Sequence, residues 1–103
     1  MKLERNKPGG HGKYAVVRLS KLNADGDLEA HDSLNRLAVG GFVEYGSVGD
    51  SEEFFVIKLK DQYAEPALRA YADAARADDA EYAADVTALA DRAAAHPNRK
   101  KPD

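Results

Sequence analysis

Alanine dominates residues 61–96 and constrains the fold more than any other feature of this 103-residue chain. Fifteen of these 36 residues are alanine, and Val86 is the only β-branched apolar residue among them. Since alanine has the highest helix propensity and β-branched side chains favour strands, the composition predicts helix. Apolar residues recur at helical spacing on both sides of Ala-Asp-Asp at 77–79. We therefore expect two antiparallel helices joined by a short link.

Each of these two predicted helices has an apolar face and a start signal. Pro66 falls in the opening turn of the first helix, where its missing N–H costs nothing. Asp78 and Glu81 have the spacing of a capping pair at the start of the second, and Pro97 ends it. The predicted faces are Ala64, Ala67, Leu68, Tyr71 and Ala75 on the first helix, and Tyr82, Val86, Leu89 and Ala93 on the second.

Three segments before residue 61 have the composition of strands, namely 13–19, 42–45 and 53–60. Between the first two, Asp27 is placed to cap a helix over 28–39, which Gly40 ends. The last two strands form a hairpin around an acidic loop. The order is then β-α-β-β-α-α, which predicts an α+β fold with a three-stranded antiparallel sheet packed against helices.

The segment Phe-Phe-Val-Ile-Lys-Leu at 54–59 is apolar on both sides if it is a strand, because alternate side chains point to opposite faces. A strand exposed on one face would alternate apolar with polar residues. The first predicted strand shows the same pattern. One face of the sheet, carrying Phe54, Val56, Tyr14 and Val16, is therefore either covered within the fold or available to a partner.

Charge is unevenly distributed along the chain. Residues 1–21 carry a net charge of +5 and residues 97–103 carry +2, whereas residues 22–96 carry −10. We expect a flexible basic arm over 1–12, which is rich in glycine, a single α+β domain over 13–96, and a basic tail over 97–103. Basic termini of this kind contact nucleic acid or acidic proteins in some proteins and have no role in others.

Composition excludes several classes of function. The chain has no cysteine, which excludes disulfides, thiolate metal sites and a cysteine nucleophile. No apolar run reaches the ~18 residues that a membrane-spanning helix needs, and the polar start does not fit a signal peptide. We therefore expect a cytoplasmic protein with no membrane contact.

The sequence contains no motif for catalysis, cofactor binding or metal binding. The glycine-rich residues 7–14 lack the spacing of a phosphate-binding loop and precede a predicted strand rather than a helix. A calcium loop around Gly26 would place Lys21 at the first ligand position, where a carboxylate is needed. The three histidines lack metal-ligand spacing, and no serine lies in a nucleophile elbow. We expect no enzyme activity, no cofactor and no metal.

Several stretches resemble small proteins encoded by tailed bacteriophages and prophages. They are Glu-Phe-Phe-Val-Ile-Lys-Leu-Lys-Asp at 53–61, Tyr-Ala at 63–64, Tyr-Ala-Asp-Ala-Ala at 71–75, Glu-Tyr-Ala-Ala-Asp-Val-Thr-Ala-Leu-Ala at 81–90 and Lys-Pro-Asp at 101–103. The resemblance spans most of residues 7–103. It implies a phage accessory protein in the cytoplasm of the bacterial host. By analogy with that class, it also implies an inhibitor of host machinery or of a defence complex, such as an anti-CRISPR.

The function that these patterns favour is non-enzymatic binding to a host or phage protein. An acidic helical surface repels a phosphate backbone and attracts a basic protein groove. The candidate contact residues are Asp73, Asp78, Asp79, Glu81 and Asp85 on the C-terminal helices, and Asp50, Glu52 and Glu53 in the acidic loop.

Two alternative functions belong to other classes. A nucleic-acid-binding protein would use its basic termini, with Lys2, Arg5, Lys7, Lys13, Arg99, Lys100 and Lys101 on phosphates. A virion or assembly component would self-associate through the sheet face, for example as a homodimer.

Overall fold

The regular secondary structure of the protein is helical throughout the residues that the computed structural model describes, which are 1–3, 9 and 12–102. Its four helices are α1 (Leu19–Asp25), α2 (Leu28–Val39), α3 (Ala64–Ala75) and α4 (Ala80–Ala94). The chain divides into two compact units. One unit is Ala15–Phe55, which contains α1 and α2; the other combines Met1–Tyr14 with Val56–Asp103 and contains α3 and α4.

The predicted α+β fold is wrong, because no strand or sheet forms in the described part of the chain. The predicted strand over 13–19 is irregular up to residue 17, and α1 begins at Leu19. The two predicted hairpin strands, 42–45 and 53–60, flank a turn but form no ladder. Within the described residues, positions 54–57 make no backbone hydrogen bond. An extended segment becomes a strand only when a neighbouring backbone pairs with it, and a lone hairpin is marginal in water.

The helices α3 and α4 form an antiparallel hairpin with an alanine core, as the sequence predicts. Side-chain contacts between α3 and α4 run from Tyr71 with Tyr82 near the link to Arg69 with Asp91 further away. The buried residues of the described chain are all in this hairpin: Ala64 and Ala72 of α3, and Ala83, Val86, Ala90 and Ala93 of α4.

The core-facing residues of the hairpin differ in part from the predicted faces. Val86 and Ala93 are buried as expected, but Tyr71 is exposed, and Tyr82 and Leu89 are half-buried. Alanine side chains let two helix backbones approach closely, which leaves room for Val86 in the contact but not for the larger leucine and tyrosine side chains. The larger apolar residues therefore border the interface instead of filling it.

The side chains that cap the N-termini of α2 and α4 are both carboxylates. Asp27 caps α2 by accepting a hydrogen bond from the Ala30 N–H at 3.1 Å, so the predicted helix over 28–39 is confirmed. At α4 the cap is Asp79 rather than Asp78, and its Oδ1 accepts from the Tyr82 N–H at 3.0 Å. Each cap satisfies one of the N–H groups that the first turn of a helix leaves unpaired.

The N-terminal and C-terminal described residues both contact the α3–α4 unit. The Leu3 N–H donates to Oδ2 of Asp85 at 2.8 Å. Near the other end of the chain, Lys100 forms an isolated parallel bridge with Asp61, in which the Gln62 N–H donates to the Lys100 carbonyl at 2.7 Å. The domain boundaries that the sequence suggests at 12 and 97 remain predictions.

The unit Ala15–Phe55 has no buried residue. Its α1 and α2 are joined at Gly26, whose φ of 73° ends α1 in the left-handed conformation. Leu22, Ala30, Leu34 and Ala38 are half-buried, whereas most of the larger apolar side chains of the unit are exposed.

Candidate functional site

Acidic residues cluster where α4 begins. We call Asp78, Asp79, Glu81 and Asp85 the acidic end of the hairpin. The ammonium of Met1 lies against it, 3.0 and 2.8 Å from the two carboxylate oxygens of Asp79 and 3.9 Å from Oε2 of Glu81. Three of the predicted contact residues, Asp79, Glu81 and Asp85, therefore converge on residues 1–3 of the same unit.

The electrostatics of the acidic end keep Asp79 ionised. Hydrogen bonds from the Met1 ammonium and from the Tyr82 N–H lower the pKa of Asp79 below its ordinary value of 3.8. The same hydrogen bond to Asp79 raises the pKa of the Met1 amino group. The N-terminal end of a helix dipole is positive and also favours anions at this position. The acidic end is thus a negatively charged site that holds an ammonium group.

Two tyrosines lie beside the acidic end. The Tyr71 and Tyr82 hydroxyl oxygens are 3.1 Å apart, and the rings meet edge to face with centroids 6.1 Å apart. The hydrogen bond to Tyr71, followed by partial burial, raises the pKa of Tyr82 to about 12. The Tyr71 ring remains exposed beside this pair.

Asp73, the fifth acid predicted on the helices, lies apart from this contact. Its Oδ1 pairs with Nη1 of Arg76 at 2.6 Å, three residues further along the chain. Elsewhere in the hairpin, Arg69 bridges the helices by pairing with Glu65 at 2.8 Å and Asp91 at 3.1 Å. Asp73 is neutralised locally and Arg69 links α3 to α4, so neither contributes to the acidic end.

The predicted acidic loop folds as a turn in the unit Ala15–Phe55. Asp50 Oδ1 accepts from the Glu52 N–H at 3.1 Å, and Glu53 Oε1 accepts from the Gly49 N–H at 3.1 Å. A hydrogen bond with Glu52 and the negative charge of Glu52 raise the pKa of Glu44. The sequence did not single out Glu44. A shallow cavity of about 380 Å³ is lined by residues 43–47 and 50–52.

Large apolar side chains in and next to this turn in the sequence are open to solvent. Val48 is 94% exposed and Phe42 is 80% exposed, and Phe55 is similar. We call residues 37–55 the apolar segment. The ring of Phe54 lies over Gly46, so closely that a Cβ at Gly46 would overlap it. Gly46 has a φ of 60°, so both its backbone conformation and its contact with the Phe54 ring favour glycine at this position.

The predicted sheet face does not exist. Tyr14, Val16, Phe54 and Val56 are all exposed, and with no ladder in the described chain they share no sheet. Tyr14 and Val56 belong to one unit and Val16 and Phe54 to the other. The assignment of these four side chains to one sheet face is therefore wrong, and their contact with a partner remains a prediction.

The basic residues of the nucleic-acid alternative are only partly described. Lys2, Lys13 and Lys101 are exposed, and Lys100 takes part in the bridge to Asp61. Arg99 turns back on the hairpin, with Nη2 3.6 Å from Oε1 of Glu65 and 3.4 Å from the Gln62 carbonyl. Arg5 and Lys7 lie outside the described residues, so the alternative remains a prediction.

No metal centre or membrane span is present among the described residues. They contain no group of three or more His, Asp or Glu side chains able to hold a metal ion. Within the same residues, no helix has the length and hydropathy needed to cross a membrane. No protein-family model, no curated protein and no solved structure matches this chain.

Proposed function

We propose that this chain is a non-enzymatic binding protein whose acidic end holds a basic segment of a protein partner. The observation that carries the proposal is the contact between the Met1 ammonium and the carboxylates of Asp79 and Glu81. A lysine side chain ends in the same ammonium group with the same three donors. A partner lysine that displaced Met1 would find two carboxylates already in position.

The exposure of these contacts makes such an exchange inexpensive. The side chains of Met1 and Glu81 are 71% and 57% exposed and that of Asp79 is 31% exposed, so water and salt reach these charges. Exposed ion pairs contribute little to stability. Breaking the Met1 contact therefore changes the free energy of the protein little. A partner with several positive charges is also attracted by the carboxylates of Asp78 and Asp85. Binding of this kind is fast and weakens as salt rises.

The resemblance to small phage proteins supports a partner in the bacterial cytoplasm. A basic surface on a host protein or on a nucleic-acid-handling defence complex has the charge that the acidic end attracts, because such complexes bind phosphate backbones through lysine and arginine. Inhibition would follow if the acidic end occupied that basic surface. We therefore propose a basic surface of a host protein or defence complex as the partner.

A capture experiment with two charge-matched variants tests the proposal. The immobilised chain is incubated with bacterial lysate at low salt, and the retained proteins are identified. One variant carries Asp78→Lys and Glu81→Lys; Asp79 is kept because it caps α4. The control carries Asp25→Lys and Glu29→Lys in the other unit, and changes the net charge equally.

We expect at least one protein to be retained by the native chain and by the control but lost from the acidic-end variant. The retained protein should also elute as salt rises from ~50 to ~200 mM, over which the Debye length falls. Retention of the same proteins by both variants, or no specific retention by the native chain, contradicts the proposal.

A further inference from the structure

The unit Ala15–Phe55 lacks the means to be stable alone. It comprises 41 residues, and none of them is buried. Domains below about 40 residues usually need disulfides, a metal or association with another surface in order to fold. The chain has no cysteine, and its described residues contain no metal-binding group. Association is the remaining source of stability.

The apolar segment is the part of this unit that association would cover. Val39, Phe42, Val48 and Phe55 are each at least 80% exposed. Burying an aromatic or aliphatic side chain of this size is favourable, because it removes apolar surface from water. Large apolar side chains that lie open to solvent in this way are unfavourable in water and are covered when a partner binds.

The charge of the apolar segment indicates what covers it. Glu44, Asp50, Glu52 and Glu53 lie in it, and the sequence has no lysine or arginine between Arg36 and Lys58. Two copies of the segment packed face to face would place like charges together, which is unfavourable. The raised pKa of Glu44 beside Glu52 shows that this negative charge is already crowded within one copy. A positively charged surface relieves that crowding.

We propose that the apolar segment docks onto an apolar surface of a protein partner and that lysine or arginine residues border this surface. Phe42, Val48 and Phe55 contact its apolar part, while the carboxylates of the turn meet its basic border. This surface belongs to a different unit from the acidic end, and the inference does not depend on the function proposed for the acidic end.

Two synthetic amphipathic helical peptides of equal length serve as probes, one built from leucine and lysine and the other from leucine and glutamate. Binding to the full chain is followed by fluorescence anisotropy of the labelled peptide. The chain carries Asp78→Lys and Glu81→Lys in every measurement. The two lysines offset the charges of Asp79 and Asp85 and so cancel the net charge of the acidic end, and failure of this inference can be told apart from failure of the proposed function.

Two further variants locate the contact. Phe42→Ser with Val48→Ser removes two exposed side chains of the apolar segment. Val16→Ser with Leu28→Ser removes two exposed apolar side chains of the same unit outside the segment. Because all four side chains are exposed, the substitutions remove little packing, and circular dichroism checks that the helices remain.

We expect the leucine–lysine peptide to bind and the leucine–glutamate peptide to bind at least tenfold more weakly. We also expect Phe42→Ser with Val48→Ser to weaken binding of the leucine–lysine peptide at least tenfold, and the control pair to leave it unchanged. Equal binding of the two peptides, no binding of either, or an equal effect of the two variant pairs overturns the proposal. So does a concentration-dependent mass in sedimentation that Phe42→Ser with Val48→Ser abolishes, because a second copy would then cover the segment.

Discussion

Val86 is the one fully buried side chain larger than alanine in the described chain, with 2% of its surface exposed. The other core residues of the hairpin are alanines, which bury little area each. We therefore expect Val86→Ala to destabilise the α3–α4 hairpin more than truncation of any other valine. The substitution removes two carbon atoms from the centre of the interface and leaves the helix backbone unchanged.

The expected magnitude follows from three contributions. Loss of two buried carbons costs about 1.6 kcal/mol, at roughly 0.8 kcal/mol each. The space left between the helices adds up to about 1 kcal/mol if the helices do not close over it. Alanine is the better helix former and returns about 0.5 kcal/mol. The net destabilisation is about 2 kcal/mol, which lowers the melting temperature of a domain of this size by roughly 10 °C.

Thermal unfolding followed by far-UV circular dichroism measures this loss, and hydrogen exchange of α3 and α4 amides shows where it occurs. The matched control is Val39→Ala, because Val39 is also helical but is 90% exposed. The control should leave the melting temperature unchanged or raise it slightly. Equal shifts for the two variants would refute the assignment of Val86 to the hairpin core.

Three further predictions concern the other features of the two units. Gly46→Ala should disorder the turn more than Gly49→Ala, as measured by amide exchange, since both glycines have positive φ but only a Cβ at Gly46 overlaps an aromatic ring; equal effects would contradict that contact. Tyr71→Phe should return the pKa of Tyr82 from about 12 toward 10 in an alkaline NMR titration, because it removes the partner hydroxyl; an unchanged value would contradict the pairing. Because the pKa of Glu44 is raised above its ordinary value of 4.5, protonation of Glu44 stabilises the turn at pH values below 4.5. This stabilisation is lost as the pH rises through the pKa that Glu44 has in the folded state. Amide protection of the turn should fall over that range in the native chain but stay constant in Glu44→Gln, and parallel profiles would disprove the coupling.

Local interactions explain the parts of the fold that could be predicted. The cap at Asp27 and the alanine-rich composition of 61–96 each act within a few residues, and the helices at α2, α3 and α4 follow from them. The Asp79 cap differs by one residue from the predicted capping pair because neighbouring aspartates offer the same side chain. The helix α1 was not predicted, because residues 13–19 were assigned to a strand.

The predicted sheet failed because β-propensity describes how a side chain fits a paired surface and cannot supply the pairing. Residues 54–57 have suitable side chains, but no other backbone in the described chain pairs with them by hydrogen bonds. The acidic end was predicted from charge alone, whereas its contact with Met1 joins residues 78 positions apart. No local pattern in a single sequence indicates such a contact.

The alanine interface of the hairpin also influences the order of folding. Alanine has no rotamer to fix, so packing α3 on α4 costs almost no side-chain entropy, and the link between them is only a few residues long. Contacts that are near in sequence and cheap in entropy form quickly. We expect the hairpin to fold first. The chain before it then becomes fully ordered only when a partner surface covers its exposed apolar side chains.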